Sequence, residues 1–195
     1  RSARLGGLAR SGDGGATMSA RRHDRSTIPE LRASRIEVEL GAIRRNVARF
    51  AGHTGVEVCA VVKGDGYGHG AAPVAEAALA GGATHLAVAL VEEGLALRQA
   101  GIDAPILILS EPPVAAIEHL LAADLTPVAY RAPFLAALDA AAAAAGRTVP
   151  CHVKLDTGMG RVGAPEGEWE ALLRLAAELT SVEVEGLMTH LARAD

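Results

Sequence analysis

Lysine is nearly absent from this chain. Its 195 residues hold two, Lys63 and Lys154, against seventeen arginines, so any side-chain amine chemistry falls to one of two positions. Aromatic residues make up 3%, and a core must therefore be built from Ala, Val, Leu and Ile. With half the residues hydrophobic, that core is sizeable and suits one large domain. No apolar run approaches the roughly 18 residues a membrane helix needs. Cys59 and Cys151 both fall in predicted buried strands and lack metal-ligand spacing, which points to a reducing compartment. The seven histidines form no His/Cys cluster, so zinc is not expected. A net charge of −4 gives no reason to invoke nucleic acid.

The charge is uneven. Residues 1–35 carry eight arginines against Asp13, Asp24 and Glu30, while the remainder is acidic. The segment is rich in Gly, Ser and Ala and has no hydrophobic period. Residues 1–33 are therefore expected to be a disordered basic tail ahead of a domain over 34–195. Arg21-Arg22 resembles a twin-arginine signal, but no apolar segment follows it, which argues against export. A transit peptide would share the arginine-rich character. Met18 offers a start codon, with residues 1–17 then an artefact of translation assignment.

Beyond the tail, Arg35–Leu40 alternates as a half-buried strand does, and Gly41–Phe50 reads as a helix with Ile43, Val47 and Phe50 on one face. Strand-like runs then recur at 57–63, 85–90, 105–110, 125–130, 149–156 and 182–190. Helical stretches fill 71–81, 91–101, 112–123, 131–146 and 166–180. Gly81-Gly82, Gly101 and Gly146 stand where helices should stop. Continuous apolar strands such as Ile106–Leu109 are the pattern of parallel strands buried on both faces. Alternating strands and helices imply a parallel sheet, either doubly wound or closed into a barrel.

The chemistry concentrates in Val61-Val62-Lys63-Gly64-Asp65-Gly66-Tyr67-Gly68-His69-Gly70. A buried strand delivers a lysine to a glycine-rich loop, and poor solvation there would lower the pKa of the amine and free it as a nucleophile. The glycines do not make a dinucleotide fingerprint, and no P-loop lysine-hydroxyl pair follows. Gly66, Gly68 and Gly70 allow a tight turn, and His69 reads as structural. A second string is His152-Val153-Lys154-Leu155-Asp156-Thr157-Gly158-Met159-Gly160-Arg161-Val162-Gly163, and a third is Glu185-Gly186-Leu187-Met188-Thr189-His190.

Together these strings resemble the signatures of the alanine racemase family, from about Ser34 to the last residue; only Gly64 departs from the lysine motif, where alanine is usual. The resemblance implies a fold class of α/β, a TIM-type (β/α)8 barrel followed by a β-rich domain. About six of the eight strands are present here and the C-terminal β domain is missing. The ends of predicted strands carry Lys63, Lys154, Asp156 and His190, as a barrel's C-terminal face would. An open barrel exposes two edges, so the isolated chain is expected to fold poorly or aggregate.

The resemblance further implies pyridoxal 5'-phosphate as cofactor, linked through Lys63, which also serves as one of two catalytic bases. Tyr67 would bind the cofactor phosphate, Leu109 would wall the pocket, and His190 would lie near the ring. Arg161 would hold the cofactor's phenolate or the substrate carboxylate, and Lys154 corresponds to a lysine carbamylated in some members. Without the carbamate, Lys154 would pair with Asp156 or another strand-end carboxylate. The second base is a tyrosine of the missing domain, shared across a homodimer; neither Tyr67 nor Tyr130 matches it, so the chain is expected to be inactive alone. The implied function is interconversion of L- and D-alanine in the bacterial cytoplasm for peptidoglycan, with no membrane or nucleic-acid partner. The alternatives are a racemase of another amino acid, a non-catalytic barrel of the pyridoxal-phosphate homeostasis type, or a gene fragment without function.

Overall fold

The computed structural model describes residues 36–193. The basic tail expected over residues 1–33 lies outside them. From Val38 onward the chain forms one compact unit. Its elements, in order, are α1 (Leu40–Thr54), β1 (Cys59–Val61), a five-residue turn α2 (Lys63–Tyr67), α3 (Ala71–Ala80), β2 (His85–Val88), α4 (Val91–Gln99), β3 (Ile106–Ile108), α5 (Ile117–Ala122), β4 (Thr126–Ala129), α6 (Ala132–Ala144), β5 (Val149–Lys154), α7 (Trp169–Glu178) and β6 (Val182–Met188). Short 3-10 turns at Val114–Ala116 and Glu166–Glu168 lead into α5 and α7. The first follows Pro112-Pro113, whose missing N–H groups delay the regular helix.

All six strands are parallel, and their spatial order β1-β2-β3-β4-β5-β6 follows the chain. A doubly wound sheet would reverse direction part-way; an unbroken sequential order is that of a barrel wall. The periodic reading therefore places every barrel strand correctly, each shorter than expected. β1 stops at Val61 because Val62 leaves strand geometry at φ −122° and ψ 19° to enter the turn.

Alternate side chains point outward under the helices and build two cores. One gathers Leu86, Val88, Ile106 and Ile108 with Leu97 and Leu120. The other joins Val149, Cys151 and Val153 to Phe134, Leu135 and Leu138. Phe134, Leu135 and Leu138 are at most 1% exposed; each such side chain contributes about 1.5–3 kcal/mol. The opposite sheet face encloses a cavity of about 510 Å³ lined by Cys59, Leu107, Thr126, His152 and Glu185 among others.

Two expectations are corrected, for the strand at Arg35–Leu40 and for the burial of Cys59. The strand read at Arg35–Leu40 does not form over its described part: Ile36–Glu39 is irregular, Leu40 opens α1, and Ile36 is 89% exposed. Its alternation meets no sheet edge to pair with among the described residues. On α1, Ile43 and Val47 are half-buried against the body, but Phe50 is exposed. Cys59 is exposed, because it faces the open cavity from an edge strand, whereas Cys151 is buried.

Candidate active site

Lys63 opens the turn that follows β1 and is half-buried. From Gly64 to Tyr67 the backbone is left-handed, with φ of +61°, +53°, +62° and +56°. Glycine tolerates this region, but Asp65 and Tyr67 each sacrifice about 1–2 kcal/mol to occupy it. Side-chain and backbone bonds hold the turn in place. Asp65 Oδ1 accepts the Ala71 N–H at 2.8 Å, tying the turn to the start of α3. Gly66 N–H donates to Val62 O at 2.9 Å and Gly70 N–H to Asp65 O at 2.8 Å. His69 Nδ1 lies 2.9 Å from Gly66 O, the structural role expected of it. The glycine at 64, where the family motif has alanine, stands at a backbone position that favours it.

Lys154 ends β5 and is 4% exposed. Its Nζ donates to Leu109 O at 3.4 Å, reaching across to the residue that follows β3. Burial first, then the positive charges of Arg161 and Lys63, push its pKa down. Those interactions place three cations at one mouth of the sheet. Among the described residues, none of the three has a carboxylate within ion-pairing distance. The expected Lys154–Asp156 salt bridge is absent because Asp156 is committed elsewhere. Its Oδ1 accepts the N–H groups of Gly158 at 2.9 Å and Gly160 at 3.0 Å, and these bonds hold its carboxyl below the usual carboxylate range.

Asp156 thereby shapes the loop that presents Arg161. The loop closes through a bridge between Leu155 and Ala164, with Asp156 N–H donating to Ala164 O at 2.8 Å and Ala164 N–H to Lys154 O at 2.9 Å. Arg161 is exposed at its tip. Tyr67 is 61% exposed, and His190 is exposed two residues beyond β6. The structure joins Lys63, Lys154, Leu109 and Arg161; neither Tyr67 nor His190 hydrogen-bonds to any of them among the described residues.

Three carboxylates that order the mouth escaped the sequence reading. Asp65 is the first. Glu93 binds the N–H groups of Gly64, Ala89 and Leu90. Glu111, 8% exposed, accepts the N–H groups of Tyr130 and Arg131 and the Nε of Arg131 at 2.5 Å. Glu93 left a trace in the sequence, an acidic residue in the first turn of a helix. The bond from Glu93 to Gly64, and the partners of Asp65 and Glu111, lie at separations that no periodic pattern encodes.

A sequentially wound parallel wall with Lys63, the buried Lys154 and Arg161 at or beyond its C-terminal strand ends defines a protein of the α/β-barrel class with its charged side chains gathered at that face. This chain belongs to the alanine racemase family: the family described as alanine racemase, N-terminal domain, matches residues 38–195. It is 39% identical over 170 residues to alanine racemase 1 of Oceanobacillus iheyensis, covering 86% of this chain and 45% of that protein. It is 47% identical over 169 residues to the alanine racemase of Beutenbergia cavernae, covering 83% and 44%. The crystal structure of alanine racemase from Bacillus anthracis with bound L-Ala-P superposes with a TM-score of 0.71 at 39% identity, covering 80% of this chain and 41% of that one. The chain thus spans less than half the length of these relatives. Among the described residues, no helix is long and apolar enough to cross a membrane.

Proposed function

We propose that this chain is the N-terminal barrel part of a pyridoxal-phosphate-dependent alanine racemase. The observation that carries the reading is the buried Lys154 amine, which feels the positive charges of Arg161 and Lys63 against the one carboxylate of Asp156. Three cations against one carboxylate, itself engaged by backbone N–H groups, suit a ligand bearing several anionic groups, and pyridoxal phosphate has a phosphate and a phenolate. When bound, the cofactor supplies an electron sink that acidifies the substrate Cα–H. Lys63 would hold the cofactor, and its amine would take or return the Cα proton on one face. Arg161 orients a phenolate or carboxylate oxygen through its planar fork. Tyr67 serves the phosphate, Leu109 the pocket wall, and His190 the ring.

Lys154 beside Arg161 and Lys63 is a repulsive arrangement; carbamylation would turn it into an attractive one and steady Arg161. The base for the opposite face lies outside this chain. Tyr130 is not assigned to it, since it matches no signature of the family. In the longer protein a homodimer completes the site, and the product is D-alanine for peptidoglycan in the cytoplasm.

The test is borohydride reduction after incubation with pyridoxal phosphate, followed by peptide mapping. With two lysines in the chain, a pyridoxyl group on Lys63 alone supports the reading. Label on neither lysine, or on both equally, means that the site is not formed in this chain and that the function must be sought in a longer one. The chain alone is expected to show no turnover, and measurable racemisation would refute the two-base account.

A further inference from the structure

We propose that Glu93 is the positioning residue for Lys63, an inference that rests on Lys63 being the reactive amine. Glu93 lies in the first turn of α4. Its Oε2 accepts the N–H groups of Ala89 at 2.7 Å and Leu90 at 3.0 Å, where the chain leaves β2. That half is an ordinary helix cap. The other half is not: Oε1 accepts the Gly64 N–H at 2.6 Å, from a residue 29 positions earlier. The Gly64 nitrogen is bonded to the Lys63 carbonyl carbon, so holding this N–H fixes the peptide plane of the lysine itself.

The need for such a clamp is visible in the turn. Four consecutive residues, Gly64 to Tyr67, are left-handed, and two of them are not glycine. A segment in this region persists only when its surroundings over-determine it. Asp65 secures the far end through Ala71, and Glu93 secures the near end, next to the lysine. A charged acceptor makes the stronger kind of hydrogen bond, and the 2.6 Å separation agrees with that. Glu93 thus joins the C-terminal ends of β1 and β2 and leaves the Lys63 side chain free to move about a fixed root.

The experiment is trace acetylation of the two lysines in the full chain, read by peptide mapping across a pH series. It compares wild type, Glu93→Asp and Glu93→Ala, with each protein in urea as its reference. Aspartate keeps a negative charge in the first turn of α4 but is one methylene too short to serve both strands. The expected result is that Lys63 reactivity in wild type differs from its urea value, and that Glu93→Asp moves it back by roughly tenfold, the worth of a hydrogen bond to a charged group. Lys154 reactivity stays near wild type in Glu93→Asp, which a general loosening of the fold would not leave in place. Unchanged Lys63 reactivity in Glu93→Asp, a parallel change at Lys154, or a wild-type Lys63 already at its urea value overturns the proposal. No cofactor enters this measurement, so its failure is distinct from failure of the cofactor reading, which wild-type pyridoxyl labelling alone decides.

Discussion

Replacing Gly163 with alanine drives a methyl carbon into backbone that has nowhere to go. The added Cβ would stand 2.8 Å from Asp156 N and 2.9 Å from Leu155 C, and Gly163 itself sits at φ +129°. Neither contact is the far end of a flexible side chain, so the loop must leave its place. Departure breaks the bridge between Leu155 and Ala164, with its bonds from Asp156 N–H to Ala164 O and from Ala164 N–H to Lys154 O. Backbone strain of about 1–3 kcal/mol and two hydrogen bonds at about 1 kcal/mol each put the loss on the order of 3 kcal/mol. The chain carries its own reporter. Its one tryptophan, Trp169, donates its indole N–H to Ala164 O at 2.7 Å. Urea unfolding at high dilution, followed by Trp169 emission, is expected to show a lowered midpoint and an altered native signal in Gly163→Ala. Gly167→Ala is the control, since its Cβ would meet nothing within 4 Å. A Gly163→Ala protein that matches wild type in both signal and midpoint would refute the reasoning.

Lys154→Met is expected to stabilise the uncarbamylated protein near neutrality, because burial and the neighbouring positive charges of Arg161 and Lys63 disfavour the charged amine in the folded state. The sign follows from the depressed pKa of Lys154: the unfolded chain holds that proton more readily, so folding bears the full penalty below the folded value and loses it as pH rises to the ordinary lysine value of 10.5. Urea midpoints of wild type and Lys154→Met in carbonate-free buffer should therefore converge as pH approaches 10.5; a constant gap would contradict this. Cys151, whose burial pushes its thiol up to about 12, is expected to resist iodoacetamide until unfolding, while the exposed Cys59 is alkylated first. Peptide mapping with equal early labelling of both cysteines would contradict the assigned burial.

The barrel wall was legible because its signals are local. Each strand is a short apolar run, glycines stand at or just beyond the ends of α1, α3, α4 and α6, and the chain visits the strands in order. The burial expected of Cys59 does not hold, because apolar character shows that a side chain suits a core, not that a neighbouring element arrives to cover it. The Arg35–Leu40 alternation failed in the same way, since a strand needs an edge. At the site, the motifs located Lys63, Lys154 and Arg161 but not what orders them. The carboxylates of Glu93 and Glu111 reach 29 and 19 residues along the chain to backbone N–H groups, which every residue type except proline offers. A pattern in side-chain identity cannot register a partner of that kind.

The two outward cores also divide the chain by time of synthesis. Members of the first lie between Val62 and Leu125, and those of the second between Ile117 and Val182. They overlap only at α5, where Leu120 belongs to the first and Ile117 to the second. A nascent chain leaving the ribosome therefore completes one core before most of the other exists. Each new strand then docks on a neighbour already in place, closing a short loop instead of searching a long one. Sequential strand order is in this sense an assembly programme, and α5 is where the first stage hands over to the second.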